Sequence, residues 1–228
     1  MKRQIVFFTE LSYVLGILSL ALGTALMERA DFGVSMVVAP AYLLHLRLSQ
    51  TFPFFTFGMA EYSLQAALLI TMCLALRRFR ICYLFSFVTA VVYGLTLDGC
   101  IALVALIPRA DTVARLTYYA LGMLVCAVGV SLLFHTYVAP EVYELFVKEI
   151  AVKTGADIHR VKTIYDCCSC AVGVMLSFAF FGFGQFEGVK LGTVFCALVN
   201  GSLIGLCTRF FEARFTFRDA LPLRKLFT

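Results

Sequence analysis

Charge is what this sequence has least of. Only 14% of its 228 residues are Asp, Glu, Lys or Arg, against 61% hydrophobic residues and a mean hydropathy of +0.92. A soluble domain of this size could not bury so much apolar surface, so the composition excludes one and points to a bilayer. Polar stretches are short connectors, which leaves no room for a long linker or a low-complexity segment. Only three histidines occur, and none forms a pair at metal-binding spacing. The single cysteine cluster, Cys167-Cys168-Ser169-Cys170, lacks the second Cys or His pair that a tetrahedral site needs, so no metal is expected. The other cysteines (Cys73, Cys82, Cys100, Cys126, Cys196, Cys207) lie in hydrophobic stretches and read as small buried residues. No HExxH, phosphate-binding glycine loop, dinucleotide fingerprint or Ser-His-Asp order is present, so neither enzyme activity nor a cofactor is expected. Met1-Lys2-Arg3 precedes an apolar run without a small-residue cleavage site, and that run reads as the first membrane helix.

What the chain does have is self-similarity. Residues 13–26 and 119–132 align without a gap, with Tyr13/Tyr119, Leu15/Leu121, Gly16/Gly122, Leu18/Leu124, Ala21/Ala127, Gly23/Gly129 and Leu26/Leu132 identical. Val-Ala-Pro then recurs at Val38-Ala39-Pro40 and Val138-Ala139-Pro140, each with a Tyr two or three residues on. Duplicated halves with interrupted helices at corresponding places are a common plan for membrane transporters.

A spanning helix needs about 20 apolar residues. Six segments qualify: 11–27, 59–76, 83–107, 116–134, 163–181 and 191–208. Segments 34–48 and 138–152 are shorter, and both start near Val-Ala-Pro. If neither crosses, fourteen Lys and Arg collect on the cytoplasmic side (Lys2, Arg3, Arg77, Arg78, Arg80, Lys148, Lys153, Arg160, Lys162, Arg209, Arg214, Arg218, Arg224, Lys225). Five remain outside: Arg29, Arg47, Arg109, Arg115 and Lys190. If both crossed, Arg77, Arg78 and Arg80 would be stranded outside, against the positive-inside rule. The expected fold is therefore all-α: a single polytopic membrane domain over 1–228 with six spanning helices and two short re-entrant or interfacial ones. Two inverted three-span repeats, about 11–107 and 116–212, make it up, with both termini cytoplasmic. The net charge of +5 serves loop anchoring, and no nucleic-acid partner is expected. The partners are the lipid bilayer and an unidentified small solute, and a homo-oligomer is compatible with the composition.

Ionisable groups inside spans cost about 2.5–3.5 kcal/mol at the centre on insertion scales, so each is a candidate for function. Asp98 lies about 21 Å along its helix, too deep to reach water easily. Glu61 and Gln65, four apart, share a helical face beside Tyr62 near the outer end of the second span. Asp166 holds the comparable first turn of the fifth span. Thr193 and Asn200 share a face of the last span, flanked by Gly192 and Gly201. The break at Asp31-Phe32-Gly33-Val34-Ser35 is expected to sit in a protein-lined cavity, with Gly33 permitting the turn and Ser35 capping the next helix. Its free amides could hold an anionic group. Glu28, Arg29 and Asp31 read as an interfacial ion-pair group, His45 and His135 as interfacial residues, and His159 as a loop residue.

Leu22-Gly23-Thr24-Ala25-Leu26 leading into Ala30-Asp31-Phe32-Gly33-Val34-Ser35, Glu61-Tyr62 with Gln65, and Gly192-Thr193 followed by Ala197-Leu198-Val199-Asn200-Gly201 resemble the YczE/YyaS/YitT-like family of small bacterial integral membrane proteins. The likeness covers most of the chain. It departs where Ser35-Met36-Val37 replaces the family's frequent Ser-Pro-Trp. The resemblance implies a multi-pass protein of the bacterial cytoplasmic membrane and assigns no substrate. The functional expectation is a small-solute secondary transporter, proton-coupled through buried carboxylates, with Asp31, Gly33, Ser35, Glu61, Gln65, Asp98, Asp166, Thr193 and Asn200 lining the route. The rivals are a substrate-binding membrane subunit of an ATP-driven vitamin-type importer and a non-transporting assembly or signalling factor.

Overall fold

The computed structural model describes residues 5–107, 111–156, 158–183 and 187–221. Of the basic residues used to orient the chain, Lys2, Arg3, Arg109, Arg224 and Lys225 lie outside them, as do the side chains of His159 and Cys82. Eight helices are present: α1 Thr9–Ala30, α2 Ala39–Leu48, α3 Phe57–Leu76, α4 Cys82–Ala105, α5 Thr112–Phe134, α6 Val142–Thr154, α7 Ile158–Phe181 and α8 Leu191–Arg214. Six of them, all but α2 and α6, are long and apolar enough to cross a membrane. The chain is a multi-pass membrane protein, and the bilayer covers the leucines and phenylalanines left on the outside of the bundle, such as Leu95, Leu103 and Leu198.

The ends of these helices have local causes. Thr56 caps α3 by accepting the Met59 amide at 3.1 Å. Asp31 ends α1 in the left-handed region (φ 58) and returns its amide to Glu28 O at 3.0 Å. The expectation that α2 begins near Val34 and is capped by the Ser35 hydroxyl is corrected. Met36, Val37 and Val38 form a turn and α2 starts at Ala39. The Ser35 backbone carbonyl, not its hydroxyl, receives the Val38 and Ala39 amides (3.1 and 2.9 Å). Helix α6 starts at Val142, two residues after Pro140, whereas Pro40 lies in the first turn of α2. A feature absent from the all-α expectation is a pair of short parallel strands, β1 Ile5–Phe8 and β2 Phe215–Arg218. They tie the two ends of the chain together. Glu10 secures the join by accepting the Ala220 and Leu221 amides and the Tyr137 hydroxyl (3.1, 2.9 and 2.8 Å).

Glycine sets the most intimate helix pair. A Cβ on Gly129 would lie 2.7 Å from Leu20 N and 2.8 Å from Gly16 O, and one on Gly23 would lie 2.7 Å from Gly122 O. Backbone therefore rests on backbone, as small residues allow inside a bilayer. Gly16 meets Gly129 and Gly23 meets Gly122, so α1 and α5 run antiparallel. The pairs Tyr13–Thr89 and Thr24–Tyr93 climb together, so α4 runs parallel to α1. Ser131–Thr208 near the ends of α5 and α8, with Gly192 against Tyr119 near their starts, makes those two parallel as well. The main core, including Ile17, Ala21, Ala25, Ala39, Leu43, Tyr93 and Leu97, lies among α1, α2 and α4. Helix α3 packs along α4, whereas among the described residues α7 and α8 make no comparable contact.

The short helices both start against the interior of a long one. Val142 at the start of α6 donates its amide to Gln65 Oε1 (3.1 Å), two turns into α3. Lys153 at the end of α6 reaches Ala75 O beside the end of α3 (2.7 Å). Ala39 at the start of α2 faces Gly173, well inside α7. His45 further along α2 bonds Phe55 O (2.8 Å), just before α3 begins.

Candidate functional site

Where α6 begins against α3, two carboxylates meet. Glu61 and Gln65 are one turn apart on α3 and wholly buried, and Glu141, the residue that precedes α6, is 7% exposed. The Gln65 side-chain nitrogen donates to both acids, at 3.4 Å to Glu61 Oε2 and 3.2 Å to Glu141 Oε2. Its oxygen takes the Val142 amide, so both polar atoms of the Gln65 amide are engaged. The Tyr143 hydroxyl donates to Glu61 Oε2 at 2.7 Å. Oε1 of Glu61 and Oε1 of Glu141 are buried and without a hydrogen-bond partner. Among the described residues no Lys, Arg or His forms an ion pair with either acid. Lys162, whose charge reaches Glu141, is held by Glu144 (3.0 Å) and Asp166 (3.4 Å).

Electrostatics limits what such a pair can be. Two unit charges 4 Å apart repel by about 4 kcal/mol at an effective dielectric of ~20, and a net hydrogen bond returns only about 1 kcal/mol. Three donated bonds do not comfortably hold two buried charges, and adjacent acids commonly share a proton instead. Glu141 lies outside the six long helices. Burial first, then the neighbouring Glu61 and Glu144 carboxylates, pushes its carboxyl above the ordinary range. Around the pair, hydroxyls are bonded within the protein. Thr89 donates to Ala139 O (3.0 Å) and pairs with Tyr13 (3.0 Å), and Tyr93 pairs with Thr24 (3.1 Å).

The other sequence-derived candidates fall elsewhere. Asp98 accepts from the Thr56 hydroxyl (2.6 Å) and the Gly58 amide (2.8 Å), binding the end of α4 to the start of α3. Asp166 belongs to the Lys162–Glu144 ion group between α6 and α7. Asp31, Gly33, Ser35 and Thr193 gather in a clasp between the break after α1 and the start of α8. Gly33 is left-handed (φ 104), and a side chain there would strike the Thr193 hydroxyl. The Phe32 carbonyl accepts the Gly192 amide (3.0 Å), and the Val34 amide goes to Gly188 O (3.3 Å). The amides of Asp31 and Val34 are thus spent within the protein. Asp31 itself pairs with Lys190 (2.5 Å) and Arg115 (3.2 Å) at the surface. Asn200 lies on α8 with a buried, unpartnered Oδ1. Asp98, Asp166, Asn200 and the clasp therefore do not converge on one point with Glu61 and Gln65.

Glu141 and Tyr143 were missed by the sequence reading. Their signal was present, since Glu141 directly follows the second Val-Ala-Pro and Tyr143 lies two residues further on, whereas Ala41 and Tyr42 follow the first.

A family model, Family of unknown function (DUF6198), matches residues 7–209. The chain belongs to this family. No curated protein and no solved structure matches it, and the likeness to YczE/YyaS/YitT-like proteins stands as a resemblance carried by the motifs above. Among the described residues, no group of three or more His, Cys, Asp or Glu could hold a metal ion.

Proposed function

We propose that this protein is a proton-coupled secondary transporter of a small solute, with its site between two inverted three-span halves and its proton on the Glu61–Glu141 pair. The observation that carries the reading is the contact itself: one acid from a long helix of the first half and one from the short helix of the second share the Gln65 amide while each keeps a buried oxygen free. Reaccommodation of that proton requires the two halves to separate or rejoin, which is how alternating access couples to a gradient.

Three further features support the inverted plan. The repeat glycines meet reciprocally, Gly16 on Gly129 and Gly122 on Gly23, as a two-fold relation between α1 and α5 requires. The parallel pair α1–α4 has its counterpart in α5–α8. Each short helix starts inside the bundle against a long helix of the other half, as a half-crossing segment lined by protein would. Under this reading both termini face the cytoplasm, and the outer surface carries the Asp31 clasp.

Reconstituted into liposomes, the protein should accumulate one member of a metabolite panel when a pH gradient is imposed, and Glu61→Gln or Glu141→Gln should abolish that accumulation. Uptake that is indifferent to the gradient and to both substitutions would remove the reading.

A further inference from the structure

We propose that the solute at the Glu61–Glu141 pair is an organic cation with N–H donors, of the alkylammonium or guanidinium class, which exchanges one for one with the proton held there. The inference rests on the transport reading above and specifies its substrate and direction of coupling.

Charge is the first argument. Among the described residues the site presents two acids and no base paired with them, because Lys162 is already paired with Glu144 and Asp166. An anion would meet uncompensated negative charge. A monovalent cation arriving as one proton leaves keeps the net charge of the site unchanged, so the exchange adds no buried charge in either state.

Donor count is the second. Every polar atom of Gln65 is engaged, and the Tyr143 hydroxyl is spent on Glu61. What the site offers is two orphaned acceptors, Glu61 Oε1 and Glu141 Oε1. A ligand that donates hydrogen bonds satisfies both. A hard metal ion would want about six oxygens, and the nearby Ala139 carbonyl and Gln65 oxygen are already engaged. The third argument is the wall. Tyr143 lies 6.3 Å from Tyr165, which lies 5.8 Å from Phe146, giving aromatic faces beside the acids that attract an organic cation.

The linked proton belongs to the pair because the other ionisable groups facing it are engaged. Tyr93 and Tyr13 are hydrogen-bonded to Thr24 and Thr89 from α1 and α4. Glu144 and Asp166 share Lys162. On the remaining faces of α3, His45 is held by Phe55 O and Asp98 by Thr56 and Gly58.

The test is calorimetric titration of the purified full chain in detergent with benzylammonium and phenylguanidinium, and with benzyl alcohol, benzoate and sodium ions as comparators, in buffers of differing ionisation heat. One of the two organic cations should bind with release of about one proton, and its affinity should fall about tenfold per pH unit as the solution is acidified through the pair's titration. Glu61→Gln and Glu141→Gln should each eliminate the proton release, with thermal unfolding showing that both variants remain folded. Tyr143→Phe should weaken binding without changing the proton count. Failure of both organic cations to bind at millimolar concentration would overturn the proposal, as would binding that ignores pH and both substitutions, or preferential binding of sodium or benzoate. The two readings part cleanly: pH-driven uptake of a neutral or anionic solute keeps the transporter and removes the cation, whereas proton-releasing cation binding without flux in liposomes keeps the cation site and removes the transporter.

Discussion

Two junctions in this molecule share a backbone plan and differ in chemistry. At each, a Val-Ala-Pro segment leads into a short helix that begins against the inside of a long one. At the α3–α6 junction the residue after the proline is Glu141, and it meets Gln65 and Glu61. At the α2–α7 junction the residue after the proline is Ala41, fully buried, and the long helix offers Gly173, whose missing side chain leaves room for Val189 and Ala39. Between the residues named, the first junction is polar and the second, Ala39 on Gly173, is inert packing.

The comparison can be broken most sharply by neutralising its polar side. Glu61→Gln and Glu141→Gln should each reduce pH-gradient-driven uptake by at least about 100-fold, at the low end of what loss of an acid–base group costs, as measured in liposomes. The converse change, Ala41→Glu, would put an unpartnered acid in the inert junction and should destabilise the protein by about 3 kcal/mol, read as a lowered unfolding midpoint in detergent. Gln65→Leu orphans the Val142 amide and removes a donor from both acids. It should cost about 2 kcal/mol in the same assay. A subtler effect concerns pH. Because the Glu141 carboxyl is raised by burial and by its acidic neighbours, the folded state binds a proton that the unfolded state has lost. That contribution is complete below the ordinary glutamate range and disappears as pH rises through the raised value. Glu141→Gln should therefore flatten the alkaline fall in the unfolding midpoint, and an unchanged pH profile would count against the assignment. Smallest of all, Gly173→Ala at the inert junction brings a methyl to 2.9 Å from Val189 Cγ2. It should cost no more than about 1–2 kcal/mol and leave the pH profile as it is.

How much of this was legible beforehand follows from what each signal depends on. The six long helices were readable because a bilayer demands unbroken apolar length, and the structure places them within a few residues of the expected bounds, with α7 starting earlier at Ile158 and α1 at Thr9. The glycines singled out by the internal match turned out to be the surface on which α1 and α5 touch. Glu61 and Gln65 were visible as a polar face at helical spacing. Glu141 was not, because an acid beside a helix start is ordinary in sequence, and only the fold buries this one against α3. Asp98 illustrates the opposite difficulty. Depth along its helix marked it as exceptional, yet Thr56 and Gly58 approach it from a second helix and satisfy both its oxygens. Terminal strand pairing between Ile5–Phe8 and Phe215–Arg218 was invisible for a similar reason, since partners so far apart in the chain leave no local periodicity.

Under the proposed function, Glu61 and Glu141 share one proton where ordinary glutamates, with pKa ~4.3, are ionised. Infrared difference spectroscopy of the carboxylic-acid stretch across a pH titration tests it most directly. The account predicts a protonated-acid band that persists at neutral pH in the native protein, corresponds to one proton, and is displaced or lost in Glu61→Gln and in Glu141→Gln. Absence of any protonated carboxyl at neutral pH, or a band untouched by both substitutions, would contradict it.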